Sequence, residues 1–443
     1  MSAENSEKLR KNQNPRITWE GCNVLLDIND GDRVLFARLT AGSIVKIGNK
    51  NCSLQPLIGC KFGSSFQVEV GEEGTFLSRI VPSTEGNDLG EKMDGQILEE
   101  CRDNRLLVDN NTAQSLTGED IDDMRRKGVT GDEIVEALIA NSATFDKKTA
   151  FSQEKYRIKK QKKYAPRVLL RRPFARSICE AYFKKHAEKI GFLRVDTLSL
   201  MLSFANVTAH SDVLVVDMLD GIITGAIAER LGGTGYVCNT YCGTTPYSIS
   251  IVRMFNFSDE TCKRIVHSSL TELQCSHGGT STSIDQLVDS CNIRSQQNNE
   301  ISSPSAMDSV SMEESYNEKI ETVNNIAASP KTSKSIKAGE KAPPETVKSW
   351  KENGFSSIVK ELVPLLSYSA PFVIYHQYLE PLASCMHNLQ TEKMAISLQI
   401  AEPWLREYQV LPSRTHPHMQ MSSSGGYILS GTRITCTDQA QLN

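Results

Sequence analysis

Several features are missing from this 443-residue chain, and each absence excludes something. No apolar run approaches the roughly 20 residues a helix needs to cross a bilayer. Met1 to Asn14 is polar and charged, without the apolar centre of a secretion signal. The expectation is a soluble, intracellular protein with no membrane contact and a disordered tail over 1–14. None of the 12 cysteines forms a CxxC pair. Cys238 and Cys242 come closest, and no second pair completes a zinc site. Buried free thiols in a reducing compartment follow. His416 and His418 form an HxH without a carboxylate or cysteine close by, which disfavours a metal. Net charge is only -4, so overall charge selects no partner.

What is present is organised. Over 15–100, short apolar runs such as Asn23–Ile28, Arg33–Ala37 and Ser65–Val70 alternate with turns such as Asn29-Asp30-Gly31. That pattern predicts a small antiparallel sheet or barrel. Region 101–190 reads as a helical, basic connector. Within it, Thr130-Gly131-Asp132-Glu133 is a capping box ahead of Ile134, Val135, Leu138 and Ile139 on one helix face. Residues 191–275 and 345–443 read as one α/β domain. Its expected strands are Val213–Asp217, Tyr236–Tyr241, Phe355–Val359, Pro371–Tyr375, Ala395–Ile400 and Gly426–Leu429. Between the halves, 276–344 is rich in Ser, Asn, Lys and Glu, and it reads as a disordered insertion.

The first α/β strand runs into a turn of a particular kind. Val213-Leu214-Val215-Val216-Asp217 is followed by Met218-Leu219-Asp220-Gly221-Ile222-Ile223 and then a helix. A Rossmann-like methyltransferase places D-x-G-x-G-x-G here, because glycine lets the backbone bend and approach the cofactor. In this chain Leu219 and Ile223 stand at the first and third glycine positions, and their side chains are expected to fill the cofactor's volume. The next strand, Gly235 to Tyr241, offers no carboxylate for ribose hydroxyls. The expected fourth strand, Phe355–Val359, ends in Lys360-Glu361, where a cation opposes the chemistry of holding a target base; a shift of one residue would place Glu361 there instead. These features predict a degenerate site without catalysis.

From Lys155 to Arg176 there are ten basic residues and no acidic one, with Tyr156, Tyr164 and Phe174 interleaved. Such a block can neutralise phosphates and release counterions, and its aromatics could stack on bases. A solvated helix face or a nuclear localisation signal fits Lys159-Lys160-Gln161-Lys162-Lys163 as well.

Longer motifs point to a family. They are Arg102-Asp103-Asn104-Arg105-Leu106-Leu107-Val108-Asp109 with Gln114 and Leu116-Thr117, Phe151-Ser152-Gln153-Glu154-Lys155-Tyr156, and Arg194-Val195-Asp196-Thr197-Leu198. The longest are Trp404 to Pro417 and Gly425-Gly426-Tyr427-Ile428-Leu429-Ser430-Gly431. In these the chain resembles the non-catalytic, substrate-binding subunit of the eukaryotic tRNA adenine-58 N1-methyltransferase, over nearly its whole length outside the insertion. The resemblance implies a class I methyltransferase fold with a degenerate cofactor site, preceded by a β-barrel-like domain. It implies a heterotetramer, two of each subunit, in which the partner binds S-adenosylmethionine, and a nuclear location. It places tRNA contacts at Asp103, Asn104 and Arg105, at Lys155, Lys159, Lys160, Lys162 and Lys163, at Lys185 and Lys189, and at Gln409, Arg414 and His416. Subunit packing is an equal expectation for the loop from Gln409 to His416. The segment Lys360 to Pro364 is shorter than the family pattern. The competing functions are an independently active S-adenosylmethionine-dependent RNA methyltransferase and an RNA-binding scaffold.

Overall fold

The computed structural model describes residues 15–71, 74–80, 114–278, 356–410, 415–419, 421 and 424–434. Asp103, Asn104, Arg105, Arg414, the tail 1–14 and the expected insertion beyond Gly278 lie outside the described residues. No helix among the described residues is long and apolar enough to cross a membrane.

The amino-terminal sheet is antiparallel, as the alternating runs predict. Its strands are β1 (Asn23–Ile28), β2 (Arg33–Arg38), β5 (Ser65–Gly71), β6 (Gly74–Arg79) and β7 (Arg167–Arg171), in the order β2-β1-β7-β5-β6. A hairpin of β3 (Ile44–Ile47) and β4 (Lys50–Ser53) accompanies it. Among the described residues no pairing joins β2 to β6, so the barrel does not close by hydrogen bonds. Strand β7 comes from the expected helical connector, yet it is the central strand. Its Val168 and Leu170 enter the same core as Val24, Leu26, Phe66 and Leu77. Strand alternation gives β1 two apolar faces. Leu25 turns the other way, onto Val34 and Ala181 of the helix Ala175–Lys185, and so joins the sheet to the α/β part. Asn23 and Asn256 reinforce that junction: Asn23 N donates to Asn256 Oδ1 at 2.8 Å, and Asn256 Nδ2 donates to Asn23 O at 2.8 Å.

The α/β domain is Rossmann-like. Strands β8 (Asp212–Val215), β9 (Tyr236–Tyr241) and β10 (Ile265–Ser269) are parallel in the order β10-β9-β8, with the helix Ile222–Leu231 crossing from β8 to β9. A second group has β15 (Tyr427–Arg433) between β11 (Pro371–His376) and β12 (Ala395–Ala401), antiparallel to both. Among the described residues the two groups do not pair with each other. Val213 to Val216 and Pro371 to Tyr375 instead border a cavity of about 1140 Å³. Consecutive residues of a strand point to opposite faces, so a cavity lined by unbroken runs is bordered by the strand edges themselves.

One expected strand is corrected here. Residues 356–362 of the run Phe355–Val359 and beyond are helical. Val359 and Val363 are buried against Leu382, Cys385 and Leu389 of the helix Leu379–Thr391, a spacing that suits a helix and not a strand. Lys360 consequently ion-pairs with Glu392, and Glu361 accepts a hydrogen bond from Gln274 Nε2 at 3.3 Å. Neither ends a strand.

Candidate nucleic-acid interface and the altered cofactor turn

The turn after β8 is closed by its own side chains. The buried Asp217 carboxylate accepts hydrogen bonds from Leu219 N (2.9 Å), Thr224 N (2.7 Å) and Thr224 Oγ1 (2.8 Å). Burial pushes its pKa up, and those hydrogen bonds partly offset the rise. Asp220 has φ 56° and Gly221 has φ 91°. Lys189 Nζ lies 2.8 Å from the Asp220 carboxylate, which also accepts from Ser248 Oγ at 2.6 Å. Burial alone would raise the Asp220 pKa, but hydrogen bonds from Lys189, Ser248 and Ser250 outweigh it and hold the carboxyl below its ordinary range. Lys189, expected at tRNA, thus commits its charge to this turn.

One side of the turn is packed. Leu219 Cδ2 would lie 2.7 Å from a Cβ added at Gly191. A Cβ at Gly221 would meet Ile249 Cα at 2.7 Å, and one at Gly225 would collide with the Phe255 ring. Leu219 and Ile223 pack against the core of Ile178, Ile190, Leu193 and Ile222. They also line the cavity between β8 and β11, whose one carboxylate, Asp212, sits at the entry of β8 and not at a strand's carboxyl end. Inside β9, Asn239 is buried, and its Oδ1 accepts a hydrogen bond from Asp217 N at 3.4 Å. Asp217, Asp220 and Asn239 are thus engaged in holding the turn.

The lysine run forms the helix Ala150–Tyr164, capped by Thr149, whose Oγ1 accepts from Ser152 N at 3.4 Å. Gly131 opens the neighbouring helix Gly131–Ala140 against its end, where an added Cβ would lie 2.7 Å from Tyr164 O. Thr130 and Glu133 form the expected capping box. Eight of the ten cations divide as follows. Lys162 pairs with Asp32 (2.7 Å), Arg167 with Asp132 (3.9 Å), Arg171 with Asp27 (3.1 Å), and Arg176 with Glu180 (2.8 Å). Lys155, Lys159 and Lys163 are exposed and have no carboxylate partner among the described residues. Lys160 Nζ sits 5.1 Å from the Tyr156 ring centre and 5.8 Å from that of Tyr164. The aromatics differ from expectation. Tyr164 is buried, and Tyr156 packs edge-on to Phe145 at 5.7 Å, so their rings serve packing and cation contacts. Lys185 is exposed at the end of its helix, its pKa lowered by burial first and by the charge of Arg33 second.

Gln409 and His416 come together. They face each other across a two-stranded ladder of β13 (Tyr408–Gln409) and β14 (His416–Pro417). Around that ladder large apolar side chains stand in solvent: Trp404 is 63% exposed, Tyr408 53%, Val410 75% and Met419 82%. Isolated exposed apolar residues are ordinary; here four fall within residues 404–419. Trp404, Tyr408 and Val410 lie in the longest of the sequence motifs, and Val410 lies in the loop for which subunit packing was an equal expectation; Met419 lies outside both.

Residues 19–351 match the Gcd10p family model. The chain is 36% identical to the tRNA (adenine(58)-N(1))-methyltransferase non-catalytic subunit trm6 of Dictyostelium discoideum, over 95% of this chain and 80% of that one. It is 30% identical to the corresponding non-catalytic subunit TRM6 of Mus musculus, over 92% and 88% of the two chains. It is 27% identical to that of Debaryomyces hansenii, over 89% and 82%. The chain belongs to the Gcd10p family.

Proposed function

We propose that this chain is the non-catalytic subunit of a tRNA adenine-58 N1-methyltransferase, one that binds tRNA and positions it for a catalytic partner. One observation supports it most: a protein similar along almost its whole length to named non-catalytic subunits has Leu219 and Asp220 locked into the turn where a methyl donor would need open backbone. In this reading S-adenosylmethionine is bound by the partner and not by this chain. The exposed lysines Lys155, Lys159 and Lys163 meet RNA phosphates, while Lys162 and Lys189 hold the fold. The apolar hairpin around Val410 and Met419 suits docking to the catalytic subunit in a complex of two copies of each, and the site of action is the nucleus.

The physical logic is a division of labour. Extruding a base costs about a few kcal/mol of unstacking. Phosphate contacts spread over a second subunit supply binding energy and set register without reading sequence. The test is methylation of an unmodified tRNA transcript by this chain alone, by the partner alone and by both. Turnover is expected to be strong only with both, and isothermal titration of S-adenosylmethionine into this chain alone is expected to give no heat. Micromolar donor binding, with methylation by the isolated chain, would restore the independent-enzyme reading.

A further inference from the structure

A second group of cations lies off the lysine helix, and no motif marks it. A cleft of about 870 Å³ opens between the β3–β4 hairpin, the β5–β6 hairpin and the helix Gly118–Arg126. Lys50, Thr75, Asp122, Arg125, Arg126 and Lys127 line it. Among the described residues Asp122 is the one carboxylate in its lining. It touches Arg125 at 3.0 Å, and Asp123 touches Arg126 at 3.0 Å. Both pairs join residues three apart on one helix and engage these guanidiniums in part, Arg125 being 26% and Arg126 77% exposed. Among the described residues neither Lys50 nor Lys127 has an ion-pair partner.

Lys50 is half-buried. Burial lowers its pKa, and the charge of Arg125 lowers it further. Two cations drawn together in a partly dry cleft repel, and an anion between them removes both penalties. The cleft also connects to the lysine helix. The Arg125 guanidinium lies 5.6 Å from the ring centre of Tyr164, and on the same ring Lys160 lies at 5.8 Å and Lys163 at 5.0 Å. One buried tyrosine thus brings cations of two helices to the same ring.

We propose that this cleft is a phosphate site for RNA, in which Lys50 and Arg125 hold one backbone phosphodiester and Arg126 and Lys127 flank it. The site extends the track that begins at Lys155 and Lys159, and the assignment rests on the RNA-binding reading above. Its chemistry is that of any phosphate, so the test separates the polymer from the free ion.

Full-length protein is titrated with an unmodified tRNA transcript between 50 and 200 mM salt. The variants are Lys50→Gln, Arg125→Gln, Lys159→Gln and the paired control Lys162→Gln. Lys50→Gln and Arg125→Gln are each expected to weaken binding about threefold to tenfold and to reduce the salt slope by about 1, as Lys159→Gln does. Lys50 has no ion pair among the described residues, so its variant guards against a folding defect at Arg125; thermal unfolding of both is recorded alongside. If Lys159→Gln weakens binding while both cleft variants match wild type, the cleft is not on the RNA path and the proposal falls alone. If no variant moves affinity or slope, the RNA reading falls with it. A rise in Tm with inorganic phosphate at matched ionic strength, abolished by Lys50→Gln while tRNA affinity stays unchanged, assigns the free anion and overturns the RNA assignment.

Discussion

Changing Lys155, Lys159 and Lys163 together to glutamine removes three exposed charges that have no carboxylate partner among the described residues. Each phosphate neutralised releases condensed counterions and contributes about 0.7 to 0.9 to the slope of log affinity against log salt, the lower value for single strands. Three contacts should therefore lower the slope by about 2 to 3. Across a fourfold change in salt, wild type should lose about 20- to 40-fold more affinity than the variant. Lys162→Gln provides the internal contrast. Its charge is already engaged by Asp32 at 2.7 Å, so it should reduce the slope by far less. Filter binding or fluorescence anisotropy with a labelled tRNA transcript, at five salt concentrations, reads both numbers. If the triple variant keeps the wild-type slope, or if Lys162→Gln lowers it as much as any exposed lysine does, the division of this helix into RNA-facing and structural cations is wrong.

Three further outcomes are expected. Val410→Glu should leave the chain's own stability within about 0.5 kcal/mol, because the residue is 75% exposed, yet weaken co-purification with the catalytic subunit by placing an unpaired carboxylate in the interface; undiminished assembly would remove the hairpin from the contact. The folded-state pKa of Asp220 is depressed below its ordinary value of 3.8, so its contribution to stability is fully present above pH 4 and is lost as pH falls through the folded value. Urea unfolding of wild type and Asp220→Asn should therefore differ by a constant amount from pH 5 to 8 and converge below pH 4, and a gap that widens in acid would contradict the assignment. Gly225→Ala should cost about 1–3 kcal/mol through overpacking against Phe255, less any gain in helix propensity; an unchanged urea midpoint would mean the ring moves aside freely.

Much of the fold was legible because its signals are local. The alternation in Asn23–Ile28 and the apolar run after Asp212 name their strands without help from distant residues, and the Thr130 capping box needs only its own turn. The altered turn was equally readable, since Leu219 and Ile223 are conspicuous where a glycine loop is expected. Other features depended on partners far along the chain. Residues 356–362 carry β-formers, but burial of Val359 and Val363 against the helix Leu379–Thr391 makes them helical. Arg167–Arg171 follows a basic helix, and only pairing with β1 and β5 turns it into a central strand.

The sequence by itself determined the family, the loss of the glycine turn and the placing of ten cations within one short run. These are matters of residue identity and spacing along the chain. Tertiary structure alone decided which of those charges remain available. Lys162 meets Asp32, Lys189 meets Asp220, and Arg125 comes to the same tyrosine ring as Lys160 and Lys163. A charge is neutralised or left free by what lies within a few ångströms of it, and chain folding sets that distance independently of separation in sequence.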